Sequence, residues 1–168
     1  MPVITEANLK FSFPHDWNVA KYDEWSFYRN QFQKVRTGVK AIDILALGPD
    51  RCTWFIEVKD YRVHPRTKVV DLAEEVAEKI CDTLAALLPA SVNANDTSEK
   101  RFARKTLVSR SLRVVLHLEQ PGKHSKLFPC AIDPAKILQR LKQLLKAIDA
   151  HPKVLESGRM DNVAWTVN

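Results

Sequence analysis

The sequence predicts an α/β domain with a central mixed β-sheet flanked by helices on both faces. Two observations lead to this prediction. Residues 40–47 and 52–59 are apolar on both alternating faces, a pattern typical of strands that are covered on each side. Segments with the period of an amphipathic helix alternate with such strands along the chain. A length of 168 residues, with neither an internal repeat nor a linker, favours one domain over residues 1–168.

The N-terminal half supplies a helix, a β-hairpin and a second helix. Aromatic residues at a spacing of three to four predict the first helix over residues 19–32. A turn signal at residues 48–51 separates the two apolar strands, which therefore form a hairpin. An apolar stripe predicts the second helix over residues 68–88, ended by Pro89. The opposite acidic row of this helix is interpreted as a solvated face without a chemical role, and comprises Asp71, Glu75, Glu78 and Asp82.

The C-terminal half supplies the remaining strands and one more helix. Polar residues 91–98 predict a loop, and residues 112–118 have the character of a strand. Asp133 followed by Pro134 predicts a helix start, because Asp caps a helix N-terminus and Pro suits the first helical position. Residues 163–167 predict a last strand.

Composition narrows the class of protein. There are 26 Lys and Arg against 20 Asp and Glu, which gives a formal net charge of +6. A hydrophobic share of 45% and a charged share of 27% exclude a disordered or collagen-like chain. No apolar run reaches the roughly 18 residues of a membrane span, and no signal-peptide pattern opens the sequence. We therefore expect no membrane segment and a cytoplasmic location.

Cysteine usage indicates the redox compartment, and glycine usage limits the class of enzyme. The three cysteines are odd in number and form no CxxC pair, so they predict a reducing compartment rather than a disulfide framework. Each lies in an apolar context and is interpreted as a small buried residue (Cys52, Cys81 and Cys130). Four glycines and no phosphate-cradling glycine motif disfavour a small-molecule enzyme.

Three charged residues interrupt the apolar strands of the hairpin. Asp43 lies in the first strand, and Glu57 and Lys59 lie on one face of the second. A buried charge is costly unless it is paired or binds a metal. Carboxylates on neighbouring strands are suited to Mg²⁺ or Mn²⁺, with the carbonyl of Val58 as a further ligand. An ammonium beside such an ion would assist an attacking water, so the pattern predicts metal-dependent phosphodiester hydrolysis.

This arrangement closely resembles the core of the PD-(D/E)XK nuclease superfamily, also called restriction-endonuclease-like. The resemblance rests on Asp43, on Glu57-Val58-Lys59 beginning 14 residues later, and on the order helix, hairpin, helix, strand. It implies a restriction-endonuclease-like core in which Asp43 and Glu57 hold the metal and Lys59 acts on the attacking water.

The resemblance covers roughly residues 20–120 and has one departure near the motif. Ile42 precedes Asp43, where the family pattern has Pro. Many members carry another acid on the helix before the hairpin, and Glu24 is the matching residue here. The resemblance therefore implies four catalytic residues, with Glu24 added to the motif itself.

A basic segment is the candidate substrate contact. Residues 99–113 contain six basic residues and one acidic residue, close to the whole excess of positive charge. Side chains of this kind bind a phosphate backbone, and the predicted nucleic-acid contacts are Lys100, Arg101, Arg104, Lys105 and Arg110.

Two functions from different classes follow. The first is a Mg²⁺-dependent endodeoxyribonuclease that hydrolyses phosphodiester bonds of DNA. The second is a catalytically inactive nuclease-like domain that binds nucleic acid or protein and keeps its acids as a structural pair. The resemblance also implies a homodimer, because cutting two strands requires two active sites.

Overall fold

The computed structural model describes residues 1–64, 66–121 and 132–168. Within these residues the chain forms eight strands: β1 (Val3–Glu6), β2 (Leu9–Ser12), β3 (Asn18–Lys21), β4 (Ile44–Leu47), β5 (Cys52–Asp60), β6 (Ser111–Glu119), β7 (Lys153–Leu155) and β8 (Thr166–Val167). The central sheet has the order β3-β4-β5-β6-β7. Its strands are antiparallel from β3 to β5 and parallel from β5 to β7, so the predicted mixed sheet is confirmed.

Helices cover one face of this sheet. They are α1 (Ser26–Asn30), α2 (Leu72–Asn93), α3 (Thr97–Leu107) and α4 (Pro134–Leu144). The long helix α2 lies between α3 and α4 and packs against both. Its buried Val76 and Ile80 share a core with Leu45, Phe55 and Val114 of the sheet. The α2–α3 pair also makes the crossover from β5 to β6, which parallel strands require.

The other face of the central sheet carries a small sheet instead of helices. This three-stranded antiparallel sheet has the order β1-β2-β8. Its Phe11 and the nearby Trp165 pack against Ile44, Ile56 and Val115 of the central sheet. The α/β class is confirmed, but the expectation of helices on both faces is wrong. Both faces are apolar, as the sequence indicates, and strands from the two chain ends cover the second one.

The N-terminal hairpin lacks the usual sequence signal. Ala7 and Asn8 connect β1 to β2, with φ angles of 49° and 64°. Two consecutive positive φ angles are typical of a primed two-residue turn, which normally contains Gly. Because Ala is uncommon in this conformation, the sequence does not mark the hairpin. By contrast, the predicted hairpin of β4 and β5 is confirmed, with register Ile44↔Ile56.

The predicted helix over residues 19–32 is only partly correct. Val19 and Ala20 pair with β4, so the segment begins as strand β3. A 3₁₀ turn over Tyr22–Glu24 and the short α1 follow. The rings of Tyr22 and Trp25 pack against each other at a tilt of 58°, with centroids 5.0 Å apart. A compact aromatic cluster therefore produces the same spacing as a continuous helix.

Helix α2 continues past the residue that was expected to end it. Pro89 lies inside the helix, and Leu87 and Ala90 on either side of it are buried. Core packing therefore outweighs the local cost of proline. Much of the predicted loop 91–98 is helical, since α3 begins at Thr97 after a capping aspartate. The predicted start of α4 at Asp133-Pro134 is confirmed, with Asp133 accepting from the Ala135 amide at 2.9 Å.

Two further expectations can be compared with the described residues. Cys52 is buried as expected, whereas Cys81 is exposed, so that interpretation is wrong for Cys81. Cys130 lies outside the described residues. No helix in the described ranges has both the length and the apolar character to cross a membrane.

Replacing Pro89→Ala should stabilise the protein. Alanine restores the amide that a helix interior requires, and the expected gain in the free energy of unfolding is about 1–2 kcal/mol, reduced by the greater freedom of the unfolded chain. Thermal and urea unfolding measure it. Leu88→Ala on the exposed side of the same turn is the control and should change stability by less than about 0.5 kcal/mol. An unchanged or lower stability of Pro89→Ala would show that the proline relieves strain in α2.

Candidate functional site

A cluster of charged side chains lies between the central sheet and α2. It consists of Asp43, Glu57, Lys59, Glu75 and Lys79, and we call it the Lys79 cluster. Strand β5 places Glu57 and Lys59 on its helical face, two residues beyond the buried Phe55. Helix α2 supplies Glu75 and Lys79 one turn apart.

The two predicted metal ligands do lie side by side. Asp43 directly precedes β4 and is 8% exposed, while Glu57 is fully buried at 0%. One oxygen of Asp43 accepts from the Val58 amide at 2.7 Å, and the other accepts from the Lys79 ammonium at 3.2 Å. The same ammonium donates to Oε1 of Glu57 at 2.5 Å. Lys79 therefore bridges the two carboxylates.

Lys59 joins this bridge to a second group of ions. Its ammonium lies 2.8 Å from Oε1 of Glu57 and 3.1 Å from Oε1 of Glu75. Glu75 is 2% exposed and also binds Arg66 at 2.9 Å and Lys68 at 3.0 Å. The predicted catalytic lysine thus lies between two acids from different elements.

The environment sets the protonation of the cluster. Burial, and then the charge of Asp43, raise the pKa of Glu57 to about 7, although the two lysines oppose the shift. Burial disfavours the charged form of Lys59, but Glu57 and Glu75 outweigh it and raise its pKa. In Glu75 the basic neighbours outweigh burial and lower the pKa to about 2. Glu57 is therefore the member whose charge changes near neutral pH.

A cleft of about 560 Å³ opens beside the cluster, with Asp43 and Lys79 in its wall. Asp23 also lines the cleft, and burial followed by the charge of Asp43 raises its pKa to about 6. The predicted fourth acid, Glu24, lies one residue further on. Its side chain is 51% exposed and pairs with Lys21 at 2.9 Å. Asp23, not Glu24, is the acid of this segment that meets the cleft.

The arrangement does not fit a divalent metal as it stands. The described residues contain no group of three or more His, Cys, Asp or Glu that could hold an ion. The oxygens of Asp43 and Glu57 that face each other bind Lys79, and Val58 contributes its amide N–H to Asp43. Mg²⁺ or Mn²⁺ at this pair, and catalytic roles for the predicted residues, stay predictions.

The sequence contains a signal for Lys79 that the prediction of an ordinary amphipathic helix leaves out. Helical spacing places this residue near the middle of the buried stripe formed by Leu72, Thr83 and Ala86. A lysine in such a position needs an acidic partner. The interpretation of the acidic row as a solvated face is wrong for Glu75 and for Asp82. Asp82 is also buried and pairs with Arg36.

The basic segment is better ordered than expected. Helix α3 buries Ala103 and Thr106, and its Glu99 accepts from the backbone amides of Ser26 and Phe27 at 2.6 and 3.0 Å. The opposite side is a surface that we call the basic face of α3, formed by the side chains of Lys100, Arg101, Arg104 and Lys105. Arg110 lies beyond the helix and is exposed.

Comparison with known proteins gives one informative relative. The chain is 32% identical, over an alignment of 209 positions that includes gaps, to a cysteine–tRNA ligase of Neisseria meningitidis serogroup A. The alignment includes all of this chain but 30% of the relative, so the chain spans less than a third of that protein. No family model matches the chain. No solved structure matches it either.

This similarity overturns the identification as a PD-(D/E)XK nuclease. The relative is a ligase, which is a different class of enzyme from an endodeoxyribonuclease. The nuclease function derived from the resemblance is therefore wrong, and the comparison gives no support to the inactive nuclease-like module. The physical reason for the error is visible in the cluster, because Asp43, Glu57 and Lys59 are motif residues held in an ion-pair network with α2. The restriction-endonuclease-like core is not confirmed.

Glu57→Gln should change how stability depends on pH. The folded protein keeps the proton of Glu57 up to about pH 7, whereas its ordinary pKa is 4.5. The folded state thus binds more protons between these values, and the free energy of unfolding falls as pH rises through them. The fall is at most about 3 kcal/mol, and Glu57→Gln should remove it. Denaturant unfolding at a series of pH values measures the difference between the two proteins.

Asp23 contributes in the same direction but is present in both proteins, so the difference isolates Glu57. Glu78→Gln, on the outer part of α2, is the matched control and should keep the wild-type fall. If the free energy of unfolding of wild type and of Glu57→Gln depends on pH in the same way, the raised pKa of Glu57 is contradicted.

Lys79→Met should destabilise the protein more than any other single change in the cluster. The substitution leaves Asp43 and Glu57 facing each other without the bridging cation, at an expected cost of about 3–5 kcal/mol. Chemical denaturation measures the cost, and adding Glu57→Gln should recover part of it. Lys142→Met on the exposed side of α4 is the control. Equal effects of Lys79→Met and Lys142→Met would show that the bridge adds no stability.

Proposed function

We propose that this chain is a tRNA-binding domain. The observation that carries the proposal is the similarity of the entire chain to part of a cysteine–tRNA ligase. That relative is named for its action on tRNA, and the aligned part is 30% of its length. We therefore assign tRNA binding to the chain, and we do not assign it the complete ligation of an amino acid to tRNA.

The basic face of α3 supports this proposal. Four cationic side chains lie on one side of an eleven-residue helix, in a chain with a net charge of +6. Lys and Arg in such an array attract and bind a phosphate backbone, mainly through electrostatics. The face is also fixed in place, because Arg104 donates to the Ser91 carbonyl at 2.9 Å and Glu99 anchors the helix to α1.

Positions next to α3 extend the positive surface. Arg110 follows the helix, and its backbone amide donates to the Arg51 carbonyl at 2.9 Å. The Arg51 guanidinium in turn donates to the Val108 carbonyl. Two exposed arginines therefore lie at the C-terminal end of the basic face. Such a surface fits the backbone of a folded RNA better than the edges of its bases.

The nucleic acid in this proposal is tRNA rather than the DNA that the sequence suggested. A dimer stays a prediction, as does a cytoplasmic location. The basic face of one molecule is sufficient for the proposed binding, because all of its residues come from one helix.

Arg101→Gln combined with Arg104→Gln should weaken tRNA binding at least about tenfold. Two lost phosphate contacts should also lower the slope of log Kd against log salt by about 2. Fluorescence anisotropy with labelled total tRNA, over a series of salt concentrations, measures both quantities.

Lys136→Gln combined with Lys142→Gln is the control, because it removes the same charge from exposed positions of α4. The control should change affinity by less than a factor of about two to three. The proposal fails if wild type does not bind tRNA, or if both double variants lose affinity equally.

A further inference from the structure

The cleft beside the Lys79 cluster combines acidic and basic groups. Asp23 and Asp43 lie in its wall, and Arg29 and Lys40 line it as well. Arg29 is held in place by Asp23, because its Nε donates to the Asp23 carbonyl at 2.8 Å. Tyr28, also in the wall, donates its hydroxyl to the Val39 carbonyl at 3.1 Å. The cleft therefore has positive and negative side chains in its wall, and hydrogen bonds hold Tyr28 and Arg29 in position.

Within the described part of the chain, one carboxylate oxygen of the cleft wall, in Asp23, lacks a hydrogen-bond donor, as does one oxygen of the neighbouring Glu57. Oδ1 of Asp23 and Oε2 of Glu57 are both shielded from solvent and have no partner in the described residues. Glu57 is fully buried, and its other oxygen binds Lys79, which lines the cleft. A buried acceptor without a donor is costly, so a ligand that brings one would be favoured. The cleft is not short of cations, because Arg29, Lys40 and Lys79 line it.

This need for a donor, without a need for a cation, selects a neutral group over an amine or a metal ion. An ammonium or divalent cation in the cleft would meet Lys79, which is already bound to Asp43 in its wall. A hydroxyl donates a hydrogen bond without adding charge. Burial and Asp43 raise the pKa of Asp23 to about 6, so at neutral pH this carboxylate is mainly ionised and accepts strongly.

The cleft is connected to the inner side of α3 through α1. Tyr28 and Arg29 of α1 line the cleft, and the first amides of α1 donate to Glu99 of α3. The rings of Trp25 and Phe102 meet edge to face, with centroids 5.7 Å apart. The wall of the cleft and α3 are therefore fixed relative to each other through α1.

We propose that this cleft binds one ribonucleotide of the bound RNA, with the 2′-hydroxyl donating to Asp23 and the phosphate contacting Arg29 and Lys40. This proposal rests on the proposed tRNA binding and adds a means of distinguishing RNA from DNA. The 2′-hydroxyl is the group by which proteins recognise RNA at a given nucleotide.

The test compares three labelled single strands of identical base sequence: RNA, the 2′-deoxy strand, and 2′-O-methyl RNA. Wild type should bind RNA about tenfold more tightly than either of the others, since one hydrogen bond to a charged acceptor is lost in each. The 2′-O-methyl strand keeps the ribose oxygen but cannot donate, so its weakness would identify the missing interaction as donation. Equal affinity for all three strands overturns the proposal.

Asp23→Ala should abolish the preference by weakening RNA binding while leaving the 2′-deoxy strand unchanged. Glu24→Ala removes the adjacent carboxylate, which pairs with Lys21, and should keep the full preference. A preference that persists in Asp23→Ala overturns the assignment to the cleft. If tRNA binding itself fails, no strand binds, whereas failure of this inference alone leaves tight binding without discrimination.

Discussion

The ammonium of Lys79 is the contact on which the arrangement of the protein depends. It extends from α2 to the central sheet and binds two carboxylates there, those of Asp43 just before β4 and of Glu57 on β5. Each of these acids alone would be unfavourable in an apolar layer, and each is held by a neighbour: Asp43 by the Val58 amide, and Glu57 by Lys59. The long helix is therefore fixed to the sheet by charge as well as by its apolar stripe, which sets the position of α3 beside it.

The proposed RNA surface depends on the same anchoring. Helix α3 packs on α2, and its Glu99 caps the start of α1 through two backbone amides. One acid on the inner side of α3 thus orders both the basic face and the wall of the cleft. The proposed sites for the tRNA backbone and for a single ribose differ in chemistry: the first is cationic, and the second combines cations with an unsatisfied acceptor.

Much of the central sheet is predictable from sequence because its strands are apolar on both faces and a strong turn separates two of them. The capped start of α4 is predictable for a similarly local reason. The covering sheet is not, because its β1–β2 turn lacks glycine and β8 has two residues. At the site, spacing along the strands correctly placed Asp43, Glu57 and Lys59 together. It did not show that α2 supplies two more charges, Glu75 and Lys79, because the partner of a buried acid depends on tertiary packing. A motif of three residues therefore did not reveal the ion pairs that these residues form.

The small sheet also determines how this fold can be joined to other chains. Val3 of β1 and Thr166 of β8 both lie beside Ser12 of β2, on opposite sides of it. Two strand spacings separate them, or about 10 Å. Entry and exit of the polypeptide are thus neighbours on the side remote from the helices. A unit with this geometry can be inserted in a surface loop of a host protein without separating the flanking segments, and its helical layer would then point away from the host.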